Sequence, residues 1–304
     1  MEKLNLEDVL ANTSDLSVQK HVWYVAIIGR PNAGKSTFVN TLIGEKISIT
    51  TNVPQTTRKN VLAIYNDEDT QIIFFDTPGI HKSQKSFNQH INNQAVSSLK
   101  DADVVLYFID SSREWGEEER YIEDIMEFVT VPTIKVYTKC DLHNKINIPT
   151  GPNVALISSE NKQWFPELLA KIQQHLKVSN IEYPEDLYTK QDIYFRISEV
   201  IREKAFIHTK EELPHSTFIW VEEIQHENTK SGAEIMKIVA YVYVETDSQK
   251  YIVIWKSGTL IEKIWKEARI DLEKIFDKKV FLSLRVKVQK NWRKDEKLVK
   301  HLLK

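Results

Sequence analysis

The chain of 304 residues is 41% hydrophobic and 28% charged, with a formal net charge of −2. That fits about two globular domains and excludes indiscriminate binding of polyanions over the whole surface. The longest apolar runs, such as 104–109, fall far short of the roughly 18 residues a membrane span needs. A single cysteine, Cys140, excludes an internal disulfide and points to a reducing compartment. Residues 1–20 are polar and mixed in charge, unlike a signal or transit peptide, so a cytoplasmic protein is expected. The charge is uneven: residues 274–304 carry +8 and the remainder −10. A basic stretch on an acidic body suits nucleic acid or an anionic membrane surface, and suits equally a plain solvated helix face.

In chain order, residues 1–20 read as an extension. From 21 to 176, apolar runs at 22–29, 61–67, 70–76, 103–110, 132–138 and 153–158 read as strands. Helical patterns at 35–44, 85–100, 117–129 and 162–176 lie between most of them. The alternation predicts an α/β domain with a mostly parallel sheet and helices on both faces, broken by an antiparallel hairpin over 60–76. Residues 177–190, with Pro184 and mixed charge, read as a linker. From 191 to 304 the order becomes helix, two strands, a short helix ending at Trp255–Gly258, a helix to about 276, and a strand over 279–289. That predicts a second, α+β domain.

The first strand ends in GRPNAGKS, residues 29–36. In strand–loop–helix context this is a phosphate loop: Gly29 and Gly34 let backbone N–H groups face phosphate oxygens, aided by the helix N-terminus. Lys35 is expected to reach the β- and γ-phosphates, and Ser36 to give its hydroxyl oxygen to Mg²⁺. DTPG, 76–79, ends the third strand; there Asp76 suits Mg²⁺ and the Gly79 N–H suits the γ-phosphate. TKCD, 138–141, ends the fifth. Asp141 can accept two hydrogen bonds from guanine, and adenine would leave that carboxylate unpaired. Lys139 would pack over the base, and a backbone N–H of ISS, 157–159, would meet the guanine carbonyl. Four such strings in order predict GTP as ligand. Thr57, in PQTTRKN at 54–60, is preferred over Thr56 as the residue completing the Mg²⁺ shell in the GTP state. The expected catalytic set is Lys35, Thr57 and Gly79. The expected nucleotide set also takes in Asn32, Ala33, Thr37, Thr138, Ser158 and Ser159. Ile80 follows Gly79, so the water-orienting glutamine of Ras is absent and intrinsic turnover should be slow.

These strings, with ISIT at 47–50, YPED at 183–186, EELPHS at 211–216, EARIDLEKIF at 267–276 and VFLSLRVKV at 280–288, resemble the bacterial Era family of GTPases over residues 22–295. The resemblance implies a P-loop GTPase domain followed by a type II KH domain, binding of the 3′ end of 16S ribosomal RNA, and assistance in 30S subunit assembly. It implies a monomer, with a peripheral inner-membrane fraction allowed. Relatives with an asparagine at the place of Asn32 can use K⁺ in catalysis, so K⁺ joins GTP, GDP and Mg²⁺ among the expected cofactors.

A KH domain grips a nucleic-acid backbone at a Gly-x-x-Gly turn between two helices. Here that turn would be Trp255, Lys256, Ser257 and Gly258, with tryptophan in place of the first glycine; the later glycine of the pattern is replaced by Trp265. Trp255 can fill the core, stack on a base, or mark a clamp turned to other use. Lys263, Arg285, Lys287 and Lys290 complete the expected RNA-binding set. The alternative is a GTPase whose altered KH domain docks proteins or the membrane surface. Two further departures predict weaker base binding: Thr138 stands where asparagine is usual, weakening a loop-to-loop bond, and Ser159 stands where alanine is usual.

Overall fold

The computed structural model describes residues 19–82, 86–175, 178–209, 213–228, 232 and 234–303. The chain divides into two compact units: residues 1–45, 60–82 and 92–190 form the first, and residues 46–59, 83–91 and 191–304 form the second.

The first unit is built on strands β1 (Gln19–Gly29), β2 (Val61–Asn66), β3 (Thr70–Asp76), β4 (Val104–Asp110), β5 (Thr133–Thr138), β6 (Val154–Leu156) and β7 (Val178–Asn180). The strand order is β2-β3-β1-β4-β5-β6, with β7 added beside β1. All pairings along β3-β1-β4-β5-β6 are parallel, whereas β2–β3 is the expected antiparallel hairpin. Strand β4 is buried at every position, which is why it reads as an unbroken apolar run rather than an alternating one. Helices α1 (Lys35–Ile43), α2 (Ser86–Ser97, of which residues 86–91 belong to the second unit), α3 (Glu117–Met126) and α4 (Phe165–Gln173) occupy the expected positions. Phe38 of α1 is fully buried, with ring centroids of Phe74, Phe108 and Phe165 at 5.9, 5.3 and 5.1 Å. The stretch expected as linker is bonded to the sheet instead. Residues of β7 pair antiparallel with Gln19–His21, the Ile64 N–H donates to the Tyr188 carbonyl, and the Thr189 hydroxyl donates to the Leu62 carbonyl at 2.7 Å. The fully buried Gln71 amide joins in, accepting from the N–H groups of Glu182 and Tyr183.

The second unit holds a three-stranded sheet ordered β10-β9-β8: β8 (Phe218–Asn228), β9 (Glu234–Val244) and β10 (Lys279–Val288). Strands β8 and β9 are antiparallel, and β9 and β10 parallel. Helix α5 (Ile193–His208) starts where Asp192 accepts hydrogen bonds from the Tyr194 and Phe195 N–H groups, a regular N-cap. Helix α6 spans Asp247–Phe276 and is capped by Thr246 and Gln249. In place of the turn expected at 255–258 between two helices, the backbone continues as one helix through those residues. Ile264, Ala268 and Leu272 of α6 meet Ile197, Val200 and Ile201 of α5 over the sheet in one apolar core. Trp265 packs against this core and donates its indole N–H to the Leu282 carbonyl at 2.6 Å, which accounts for the lost glycine. A 3₁₀ turn (Trp292–Lys294) and helix α7 (Glu296–Leu303) close the chain. Among the described residues no helix is long and apolar enough to cross a membrane.

Trp292 is fully buried against Phe87 and Phe218 and donates to the Ser216 carbonyl at 2.8 Å. Trp292→Ala should cost about 3–5 kcal/mol in urea unfolding, and Trp292→Phe distinctly less. A loss below about 1 kcal/mol for the alanine variant would contradict this packing.

Candidate functional site

At the end of β1 the chain must turn sharply and carry its backbone close to other backbones. Gly29 lies against β4 so tightly that a Cβ would sit 2.6 Å from the Phe108 carbonyl oxygen. Asn32 and Gly34 take left-handed conformations, φ 62° and 90°, and Gly34 is the side-chain-free N-cap of α1. The loop therefore presents a helix start with no capping side chain over it, suited to an anion. The segment after β3 closes on the loop. A Cβ on Gly79 would lie 2.5 Å from the Pro31 backbone nitrogen, the Ile80 N–H donates to the Gly29 carbonyl, and the Thr77 hydroxyl donates to the Ile27 carbonyl at 2.6 Å.

The Lys35 ammonium is buried and donates to the carbonyls of Gly29 (3.2 Å) and Arg30 (3.0 Å). Burial lowers its pKa from 10.5 to about 8, with Asp76 opposing. The Ser36 hydroxyl donates to Asp76 Oδ2 at 2.7 Å, and Asp76 is fully buried. A hydroxyl and a carboxylate oxygen converging beside a phosphate loop are hard donors that fit Mg²⁺ sharing its shell with phosphate. Thr57 is buried in the 46–59 segment, which belongs to the second unit. The neighbouring Thr56 hydroxyl contacts the Val53 carbonyl and the Thr51 hydroxyl, each at 2.6 Å.

The expected base-binding residues Thr138, Lys139, Asp141, Ser158 and Ser159 all lie in the first unit. Thr138 keeps the loop-to-loop bond that its identity was expected to weaken: its hydroxyl donates to the Ala33 carbonyl at 2.8 Å. Lys139 adopts φ 58° and its ammonium pairs with buried Asp110 at 2.7 Å. Burial would raise the Asp110 pKa, but hydrogen bonds from Lys139 and Ser112 outweigh it and hold the carboxyl below its ordinary value. Asp141 is exposed, Ser158 buried, and Ser159 and Thr37 half-buried. Several residues that sequence reading passed over hold these loops. Ser111 Oγ donates to the Thr138 carbonyl, and Arg30 Nη1 donates to Glu119 Oε1 at 2.9 Å. Asp110 was discernible as the acid closing an apolar strand; nothing local marks Ser111 or Glu119.

In the second unit, Arg285 and Lys287 lie exposed on one face of edge strand β10, opposite Tyr241 and Tyr243 of β9. The Lys287 ammonium sits 3.5 Å from the Tyr241 ring centroid, a cation–π contact. Lys263 and Lys290 are exposed. The side chains of Trp255, Lys256 and Ser257, and the surroundings of Gly258, lie outside what the structure describes.

A family model described as "50S ribosome-binding GTPase" matches residues 24–139, and one described as "KH domain" matches residues 212–293. The GTPase Era of Treponema denticola is 41% identical, the match covering 91% of this chain and 98% of that protein. The GTPase Era of Borreliella burgdorferi is 40% identical, with 92% and 98% covered. Among solved structures, Era in complex with MgGDPNP and nucleotides 1506–1542 of 16S ribosomal RNA is similar at a TM-score of 0.85 and 32% identity, with 92% of this chain and 98% of that chain covered. A single-substitution variant of Aquifex aeolicus Era bound to GDP·AlF4⁻ gives 0.84 at 32% identity, with the same shares covered.

The depressed Lys35 pKa has a consequence for stability. Between about 8 and 10.5 the unfolded chain binds this proton and the folded chain does not, so stability rises with pH across that window. Below about 8 both states are protonated and the burial penalty, about 3 kcal/mol, is fully present. Urea midpoints without nucleotide should therefore show a pH-dependent gain that Lys35→Met lacks. Parallel pH profiles for the two proteins would contradict it.

Proposed function

The chain belongs to the Era family of GTPases, and from that premise we propose that it is a GTP-hydrolysing switch that binds the 3′ end of 16S ribosomal RNA and assists 30S subunit assembly. The observation that carries the nucleotide half is the convergence of Lys35, Ser36 and Asp76 beside a loop whose close backbone approaches at Gly29 and Gly79 leave no room for a Cβ. The RNA half is supported by likeness to a relative that binds 16S RNA, over nearly all of that relative's length.

In this reading Lys35 exchanges its two carbonyl acceptors for β- and γ-phosphate oxygens. Its burial strengthens that contact, because a desolvated ammonium gains most from an anion. The N–H groups of residues 32–37, at the start of α1, face the phosphates, and the Gly79 N–H meets the γ-phosphate. Ser36 and Asp76 hold Mg²⁺, and Thr57 joins them in the GTP state. The ion offsets negative charge on the phosphates when bound. Thr138, Lys139 and Asp141 hold the guanine with Ser158 and Ser159. Asn32 supplies an oxygen for K⁺, so hydrolysis should be faster in KCl than in NaCl at equal ionic strength. A GTPase domain over 21–176, joined by 177–190 to a KH domain over 191–304, carries these roles in a monomer. We place the protein in the cytoplasm, where its basic end also suits a peripheral fraction at an anionic inner-membrane surface.

One observation favours a changed RNA grip. Within α6 the N–H groups at 256–258 are committed to the helix, so they reach phosphates only if the helix opens there. In the closed helix, contact falls to exposed cations: Lys263, Arg285, Lys287 and Lys290. A KH domain that instead docks proteins would capture its partner without RNA and with little dependence on salt.

Asp141→Asn should lower GTP affinity about 100-fold, since a few kcal/mol rest on the paired carboxylate. It should also improve binding of xanthosine nucleotides, whose 2-oxo group accepts from the new amide. Competition against a fluorescent nucleotide reads both, and unchanged GTP affinity would refute the assignment. A short RNA copying the 16S 3′ end should bind the GTP-analogue form with affinity that falls steeply between 50 and 200 mM salt. Absence of binding with nucleotide affinity intact would favour the protein-docking reading.

A further inference from the structure

The 46–59 segment is where the expected Mg²⁺-ligating threonine lies, and within the second unit it is fastened at both neighbours of that residue. On one side, Arg202 of α5 donates to the Thr56 carbonyl at 2.6 Å. On the other, the buried Arg58 side chain donates from Nη1 to the Thr217 carbonyl (2.9 Å) and from Nη2 to the Pro214 carbonyl (3.1 Å). The Arg58 guanidinium also lies 5.3, 5.6 and 6.0 Å from the ring centroids of Phe206, Phe87 and Trp292. Burial depresses the Arg58 pKa below the ordinary arginine value, and the nearby Arg202 charge adds to this.

More ties lie upstream. Buried Glu203 of α5 accepts from the Thr50 N–H at 2.9 Å and pairs with Lys46. Lys46 also reaches Asp271 of α6 at 2.8 Å, and Gln191 donates to the Ile47 carbonyl at 3.1 Å. These ties run from the segment to both long helices of the second unit.

A guanidinium buried among rings is a costly way to gain stability. Well-packed apolar groups of similar volume often do as well or better in such a place. What a buried, hydrogen-bonded arginine supplies is fixed geometry: two carbonyls and three ring faces define where Arg58 sits, and with it the backbone of the adjacent Thr57.

We propose that Arg58 is a positioning residue, which with Arg202 locks Thr57 to helix α5 so that capture of Thr57 by the GTP-bound site and the RNA-binding state of the second unit change together. This rests on the reading of Thr57 and of RNA given above. The coupling is reciprocal: GTP that recruits Thr57 acts on the second unit through Arg58 and Arg202, and RNA bound there acts back on GTP. Arg58 touches neither ligand.

The test uses the full-length chain and the RNA copying the 16S 3′ end, with its affinity measured in the GDP form and in the non-hydrolysable GTP-analogue form. The readout is the ratio of the two affinities, about tenfold or more in the parent. Arg58→Lys keeps the charge and gives up the two-carbonyl fork; it should bring the ratio to within about twofold while leaving GDP affinity near the parent's in a protein that still unfolds cooperatively. A folded Arg58→Lys protein with the parent's ratio would overturn the inference and leave the RNA-binding GTPase reading standing. A parent ratio near one with RNA bound in both forms would overturn the inference alone, and no RNA binding in either form would overturn the RNA-binding reading with it. Should Arg58→Lys fail to fold, Arg202→Lys is judged by the same ratio, since it keeps a charge beside Glu199 and loses reach to the Thr56 carbonyl.

Discussion

A backbone approach with no room for one methyl group sets the working end of the first unit. At Gly79 an added Cβ would fall 2.5 Å from Pro31, and at Gly29 it would fall 2.6 Å from the Phe108 carbonyl. Because these backbones meet directly, the segment after β3 lies against the phosphate loop, and Asp76 comes within hydrogen-bond distance of Ser36. The Phe38 cluster behind α1 then fixes the helix whose first turn closes the cradle. Phosphate recognition by main-chain N–H groups requires this closeness, because a side chain at either glycine would push the donors apart.

The second constraint is how the chain passes between units. It leaves the first unit after Glu45 and returns at Asn60. The residues between are packed with the C-terminal portion of the chain around Arg58, Arg202 and Glu203. A segment expected to respond to the γ-phosphate is thus built into the body expected to hold RNA. A nucleotide-dependent segment that were merely a surface loop would have no route to a second ligand; one tied by buried hydrogen bonds has a route made of named atoms.

Much of this was legible in the sequence, for physical reasons that differ by region. Strands of the first unit declare themselves because parallel strands buried on both faces are continuous apolar runs, as β4 is. The phosphate loop, DTPG and TKCD are legible because their chemistry demands particular residues at particular strand ends. Strand β7 was not, since its three residues are all exposed and its pairing with β1 depends on tertiary placement. The continuous α6 was missed because a resemblance suggested a turn where the local residues, Trp255, Lys256 and Ser257, tolerate a helix. Thr138 stands where the resemblance leads one to expect asparagine, and its hydroxyl makes a loop-to-loop bond to the Ala33 carbonyl. Arg58 was invisible because an arginine in a turn-rich stretch reads as solvated, and only the assembled rings of Phe87, Phe206 and Trp292 show that it is not.

The GTP state, on this mechanism, is read by the 46–59 segment and passed to the second unit. Hydrogen–deuterium exchange on the full chain tests it most directly, comparing the nucleotide-free, GDP and GTP-analogue forms. The GTP analogue, unlike GDP, should change exchange in 46–59 and in α5 together, with RNA altering the same peptides. A GTP-analogue effect confined to the phosphate loop and 46–59, with α5 and the β8–β10 sheet unchanged, would contradict it.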